Sequence, residues 1–247
     1  MFKVKRLVLT YLSFTLTFLV LSCGKENQTN SKLQEIIGEN DLLPINDTSE
    51  TEHITKAMGM MDIGCTVTHI GQGFAITAGH CFYPFKFASE AIDEECASDK
   101  YNIKWGVTVD NPGYLESSCV RIIHSEHNSL KDYALIIVDP IPDFQLTVNT
   151  RYNPRKYQAI TIFSFPQKRP LEWSGWCSID DKIPSSEQHQ FSYECDTQGG
   201  SSGAAVLNEN LEIVGIHNFY SYELNRNGAT FIHKTTIPNY IQEYALF

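Results

Sequence analysis

Basic residues are scarce in this chain. Lys and Arg number 19 against 29 Asp and Glu, and the formal charge is −10. A surface poor in cations is badly suited to a phosphate backbone, which argues against nucleic-acid binding. Long apolar runs are also missing. The uncharged stretch Leu7 to Leu21 has only 15 residues, short for a bilayer span. No Cys-x-x-Cys spacing occurs, so a cysteine-based zinc site lacks its usual framework. There is no heptad run, internal repeat or low-complexity segment. What is present suits a globular protein. The 247 residues are 42% hydrophobic, enough for one or two domains with a real core. Seven cysteines argue against a reduced cytosol.

The first segment reads as an address. Lys3, Lys5 and Arg6 precede the apolar run, which has the length of a secretory h-region. It ends in Val20-Leu21-Ser22-Cys23-Gly24, which resembles a bacterial lipobox with Cys23 as the lipidated residue. Residues 1–22 are therefore expected to be a lipoprotein-type signal peptide. Residues 23–35 are polar and read as a tether or propeptide. Six cysteines remain, Cys65, Cys81, Cys96, Cys119, Cys177 and Cys195, and in an exported chain they suggest three disulfides. The location implied is the cell envelope, the periplasm or the secreted space.

Beyond residue 36 the pattern is one of short β-type runs broken by turn residues. They are 63–69, 73–78, 102–109, 119–124, 133–138, 159–165, 173–179, 191–195, 204–207, 211–217 and 229–233. Many strands at this spacing predict an all-β sandwich or barrel. The polar stretch Val148 to Tyr157 divides them into two halves. Only the end reads as helix, with Pro238 in a first turn and Ile241, Tyr244 and Ala245 on one face.

Three segments carry chemistry. Gly73 to Cys81 places His80 at the end of an apolar strand. Asp132 begins another strand. Gly199-Gly200-Ser201-Ser202-Gly203 places a serine in a glycine-rich turn. Serine-based acyl transfer needs a nucleophile, a base and an orienting carboxylate, with backbone N–H groups facing the oxyanion. Each segment alone is weak, since a strand histidine, a capping aspartate and a flexible turn are common. Together, in the order His, Asp, Ser and spaced 52 and 70 residues apart, they resemble the signature segments of the chymotrypsin-like serine proteases. The resemblance implies two six-stranded antiparallel β-barrels with a C-terminal helix and an active site in the cleft between them. It implies Ser202 as nucleophile, His80 as general base, Asp132 as its partner, and the N–H groups of Gly200 and Ser202 as the oxyanion hole. It implies protein or peptide substrates, no cofactor and no metal. The only membrane contact expected is through a lipid anchor at Cys23, and a monomer is the expected state, although the sequence leaves the oligomeric state open.

The cysteines agree with that family. Cys65 and Cys81 match its disulfide beside the catalytic histidine. Cys177 could pair with Cys195, and Cys96 would be left for Cys119, although the sequence leaves these connectivities open. His124 and His127 form an H-x-x-H in what reads as a solvated loop, with no third ligand evident.

Within the family the chain is most similar to the bacterial glutamyl endopeptidases, over residues 36–247. Ile36 to Asp41, followed by Asp47 and Thr48, resembles the start of those mature enzymes. Phe163 to Pro166 stands where they have Gly-Tyr-Pro. Thr197 and His217 coincide with the pair that grips a substrate glutamate, and 213–217 and 228–231 with the pocket walls. A buried carboxylate needs donors and preferably a positive charge. In that branch the amine of the mature N-terminus also helps to bind the glutamate, so a cut between Glu35 and Ile36 is expected. Asp196 points the other way. It stands where trypsin-type enzymes hold the aspartate that binds Arg or Lys, unless it is turned from the pocket. Tyr220 and Ala205 depart from a glycine and a proline usual in the family. Ser201 replaces the aspartate that pairs with a new N-terminus in trypsin zymogens, so the oxyanion hole should not depend on that ion pair. The alternatives are trypsin-type specificity through Asp196, a protease-like binding module without catalysis, and an envelope lipoprotein with a coincidental motif.

Overall fold

The computed structural model describes residues 35–83, 88–97, 100–152, 155–180 and 189–244. The segment expected to be a signal peptide, Cys23, the expected tether up to residue 34, and Ala245 lie outside them. Among the described residues fourteen strands and two short helices follow one another. They are β1 (Leu43–Pro44), α1 (Glu52–Thr55), β2 (Met58–Met61), β3 (Thr66–Gly71), β4 (Phe74–Thr77), β5 (Ser89–Glu95), β6 (Asn102–Val107), β7 (Pro112–His127) and β8 (Asp132–Asp139). Then come β9 (Ala159–Ser164), β10 (Glu172–Asp180), β11 (Gln190–Tyr193), β12 (Ala205–Leu207), β13 (Ile213–Ser221), β14 (Arg226–Phe231) and α2 (Ile237–Glu243).

Two antiparallel barrels result. In the first, the order β7-β6-β2-β3-β4-β8 closes through a β7–β8 pairing, and β5 is added outside on β7. In the second, β10-β11-β14-β13-β12-β9 closes through β9–β10, and β1 is added on β10. Six strands thus form each ring, and closure removes the bare sheet edges that invite misassociation. The expected double barrel is observed. All eleven sequence-predicted strands fall on observed ones.

Three strands escaped the sequence reading, each for a physical reason. β5 is an edge strand whose glutamates are exposed, so its composition is that of a solvated segment. β2 carries Met-Gly-Met-Met rather than β-branched residues; Met58 and Met61 are buried by their neighbours on β3 and β6. β1 contains a proline and only two residues. Its pairing of Leu43 with Trp173 nevertheless carries the N-terminal segment across to the second barrel.

Each barrel has its own interior. Val67, Trp105 and Ile136 fill the first, with Trp105 Nε1 donating to Ser117 Oγ at 2.9 Å. Ile160, Phe191 and Val206 fill the second. A third apolar group contains residues from both, including Ile76, Leu135, Phe165 and Ile216, and α2 adds Ile237 and Ile241 to it. This shared core holds the barrels against each other by burial of apolar surface. The connection between the barrels runs from residue 140 to 158 and contains the polar stretch noted above, of which 153 and 154 lie outside the described residues.

Three disulfides form, Cys65–Cys81, Cys96–Cys119 and Cys177–Cys195. Among the described residues no helix is long and apolar enough to cross a membrane.

A domain spanning 36–247, unfolded without reductant, should show no titratable thiol. Reducing the bridges should cost about 2–5 kcal/mol of stability each. Thiol titration and denaturant unfolding with and without reductant check both; two or more free thiols would contradict the pairing.

Candidate active site

His80 is placed by a turn that cannot carry a side chain in front of it. Gly79 begins a short 3-10 turn after β4, and a Cβ there would meet the carbonyl oxygen of Glu126 at 2.2 Å and that of Tyr133 at 2.9 Å. Glycine lets the turn press onto β7 and β8. That contact brings His80 to Asp132, the first residue of β8. Asp132 Oδ1 accepts the backbone N–H of His80 at 2.9 Å, and Oδ2 lies 2.6 Å from Nδ1. Both carboxylate oxygens therefore hold one residue, which fixes the imidazole's position and assigns the proton to Nδ1. The second barrel steadies the aspartate from behind. Thr230 Oγ1 accepts the N–H of Asp132 at 3.1 Å, and Asn218 Nδ2 donates to the Asp132 carbonyl at 2.8 Å. Sequence reasoning had Thr230 only in a pocket wall and missed Asn218, because only the packing of the barrels brings them to β8.

Ser202 faces the same place. A cleft of about 490 Å³ is lined by both His80 and Ser202, with Cys65 and Tyr101 among its other walls. A second cleft, of about 330 Å³, lies on the other flank of His80 and Asp132, against His127, Gln190 and Phe219. His80 stands between two open grooves, so an extended chain has room to run past it on both sides.

The turn around Ser202 is held by its carbonyls. Gln167 N–H donates to the Gly199 carbonyl at 2.5 Å, and Ala204 N–H to that of Ser201 at 3.0 Å. In a trans peptide the N–H points opposite to the C=O. The N–H groups of Gly200 and Ser202 are thereby turned away from those partners, and none of the described residues accepts from them. Gly200 has φ +108°, and a Cβ there would meet Phe165 O at 2.5 Å and Gln167 N at 2.8 Å. Its glycine is thus required by the neighbouring backbone. Ser201 is fully buried. Its hydroxyl lies 2.9 Å from Ser164 Oγ and accepts the N–H of Gln198 at 3.2 Å. A neutral hydrogen-bonded pair stands where an ion pair would otherwise brace the turn.

The residues expected at a specificity pocket divide into two groups. Thr197 and His217 are both buried, and two backbone bonds tie His217 to the serine turn: Gly203 N–H donates to the His217 carbonyl at 2.7 Å and His217 N–H to the Ala204 carbonyl at 2.9 Å. His217 Nδ1 lies 2.6 Å from Tyr193 Oη. Burial pushes the imidazole from its usual 6.5 down to about 3, with the neighbouring His80 acting in the same direction. His217 is therefore neutral near pH 7, and the positive charge expected from it is absent. Asp196 differs from its expected place as a substrate contact. Its Oδ1 accepts the N–H of Ile37 and its Oδ2 that of Asp41, both at 2.7 Å, so both oxygens serve the N-terminal segment. Tyr220 turns toward its own hairpin, donating to Asn225 Oδ1 at 2.6 Å.

Two more findings were not legible in the sequence. Glu35 reaches the pocket: its carboxylate Oε2 lies 3.4 Å from Thr197 Oγ1, and desolvation raises its pKa. Asn227 joins the same group, with Oδ1 2.9 Å from Thr197 Oγ1. His124 and His127 belong to β7, not to a solvated loop. His124 is buried and stacks on Tyr133 with ring centres 5.7 Å apart, while His127 lies 5.8 Å from the His80 ring. The Sγ atoms of Cys65 and Cys81 lie within 4.8 Å of a His80 nitrogen, but joined as a disulfide they offer no thiolate to a metal.

Comparison with known proteins agrees with this geometry. A family model described as "Trypsin-like peptidase domain" matches residues 65–216. The chain belongs to the trypsin-like peptidase family. Among curated proteins it is similar to the glutamyl endopeptidase of Staphylococcus epidermidis, at 27% identity over 106 residues, 43% of this chain and 34% of that one. It is also similar to the glutamyl endopeptidase of Staphylococcus aureus strain MW2, at 30% identity over 97 residues, 39% of this chain and 28% of that one. The matches thus span about a third of those relatives' length. A solved structure of a Glu endopeptidase in complex with MPD superposes with a TM-score of 0.64, covering 85% of this chain and 99% of the other at 18% identity, a likeness of fold.

The neutral His217 has a measurable consequence for this trypsin-like domain. The unfolded chain takes up a proton at this residue below about pH 6.5, and the native state resists it down to about 3. The stability tied to this group is thus complete above 6.5 and falls as the pH drops through that window, by at most about 1.4 kcal/mol per pH unit. Urea unfolding at pH 7, 5 and 4 should show a slope smaller by one proton in His217→Gln than in the parent. Equal slopes would contradict a buried neutral imidazole.

Proposed function

We propose that the chain is a serine endopeptidase in which Ser202 attacks the scissile carbonyl, His80 takes and returns the proton, and Asp132 holds the imidazole. The N–H groups of Gly200 and Ser202 receive the oxyanion. The observation that carries this reading is the two-oxygen grip of Asp132 on His80 at the edge of a cleft that Ser202 also lines. Grooves on both flanks of His80 favour cleavage within a chain over trimming of its ends. The intact constellation, with donors free at positions 200 and 202, favours catalysis over a binding module that has lost it.

For specificity we propose a preference for an acidic residue, glutamate above all, before the scissile bond. The neutral His217 would present an uncharged donor to the substrate carboxylate, and Thr197 would add its single hydroxyl proton by turning it from Asn227 Oδ1. The chain's own Glu35 carboxylate beside Thr197 supports this, since it is an acid held in the proposed place of an acid. Trypsin-type binding of Arg or Lys is disfavoured, because backbone N–H groups already occupy both oxygens of Asp196.

The location proposed is the cell envelope or the medium, on the strength of three disulfides. Cys23 would carry a lipid anchor, and a cut between Glu35 and Ile36 would free the domain from it. That cut would be made by a second molecule. The Glu35 carbonyl accepts from Asn227 Nδ2 at 2.7 Å and from Thr197 N–H at 3.3 Å, so it is not lodged on the oxyanion donors of its own chain.

Replacing Ser202 by Ala should lower casein hydrolysis by about 10⁴-fold or more while leaving the melting temperature intact. A Ser202→Ala protein that cleaves casein at the parent rate would refute the triad. On peptides that differ only in the residue before the cut, His217→Ala should depress cleavage after Glu by about tenfold more than cleavage after Phe, because it removes a carboxylate donor. A parent enzyme that prefers Arg or Lys would refute the acidic reading.

A further inference from the structure

Asp196 is a buried carboxylate, 2% exposed, and no cation pairs with it among the described residues. Removing such a group from water is costly unless charge-assisted hydrogen bonds offset the loss. Here those bonds are the N–H groups of Ile37 and Asp41, which lie 159 and 155 residues away along the chain. The side chain thus ties a distant segment to the residue immediately before Thr197.

A second tie lies beside it. Asn227 on β14 is fully buried and has every polar atom engaged. Nδ2 donates to the carbonyls of Glu35 and Cys195, at 2.7 and 2.8 Å, while Oδ1 lies 2.9 Å from Thr197 Oγ1. Thr197 N–H adds a bond to the Glu35 carbonyl at 3.3 Å. The strand β1 then carries the chain onward along β10. The segment 35–44 is therefore sewn to the wall of the pocket at successive points, and residue 36 lies between two of them.

We propose that Asp196 is a positioning residue that sets the specificity of the pocket without touching substrate: by gripping Ile37 and Asp41 it holds the start of the domain against Thr197. This rests on the acidic preference proposed above. His217 is neutral and the single hydroxyl proton of Thr197 is donated to Asn227 Oδ1, so the pocket walls supply little field for a carboxylate. The held segment supplies what they lack. Once the bond before Ile36 is cut, the new amine stands one residue from the Asp196 grip, delivered to the pocket by a carboxylate that attracts its backbone. Without that grip the first residues would move freely, and ordering them would consume binding energy at each encounter.

The test uses the processed enzyme and two peptides that differ only in Glu or Gln before the scissile bond. Asp196→Ala should lower kcat/KM on the Glu peptide by about tenfold or more, chiefly through KM, and change the Gln peptide by less than about threefold. Asp196→Asn keeps the shape and one acceptor, and should recover part of the loss. Ile37→Pro deletes one donor N–H without disturbing the buried carboxylate's neighbours on the second barrel, and should lose the Glu preference in the same way. This variant decides the matter if Asp196→Ala does not fold. An unchanged Glu/Gln ratio in either variant, or an equal fall on both peptides, would overturn the positioning role. A parent enzyme without a Glu/Gln preference would instead remove the acidic reading, and this inference with it.

Discussion

One buried carboxylate organises the centre of this molecule. Asp132 spends both oxygens on a single residue, one on the backbone N–H of His80 and one on its Nδ1. The bond is possible only because the turn carrying His80 lies flat on β7 and β8 at Gly79. It is steadied because Thr230 and Asn218 of the second barrel hold the Asp132 backbone. Strand pairing within one barrel, packing between barrels and the chemistry of the imidazole therefore meet at one side chain. A shift of either barrel would be felt at the histidine, since short charge-assisted bonds tolerate little displacement.

The pocket side follows a different design. Its groups are neutral or already engaged: His217 by desolvation, Ser201 by Ser164, Asp196 by two backbone amides. Where trypsin-like relatives can use a free aspartate as a substrate contact, this chain uses one as a structural anchor. The same residue type at the same place in sequence thus supports opposite readings, and only its hydrogen-bond partners choose between them. The N-terminal segment, which forms no part of either barrel ring, is bound against Asp196, Thr197 and Asn227 by this means.

Much was legible before any coordinates. Short β-type runs bounded by turn residues marked eleven strands, because those strands are rich in β-branched and aromatic residues that the barrels bury. The glycine-rich turn and the His and Asp segments were found because each needs particular residue types at particular positions. The strands that escaped were those whose burial comes from neighbours, as with Met58 and Met61, or that are solvated edges, as with Ser89–Glu95. His124 and His127 were misplaced in a loop because β7 continues, bulged, through sixteen residues of mixed polarity, held by pairing to both β5 and β8.

By itself the sequence determined the fold class and the export-type cysteine usage, and it named His80, Asp132 and Ser202 as the candidates for the proposed chemistry. These follow from local composition, pattern and spacing, which every short segment carries in full. Tertiary structure alone decided where Asp196 points, that His217 is neutral, and that Glu35 and Asn227 belong to the pocket. Each of these depends on groups brought together from 30 to 192 residues apart. Burial and hydrogen-bond partnership are properties of that assembled environment, and no local stretch of sequence contains them.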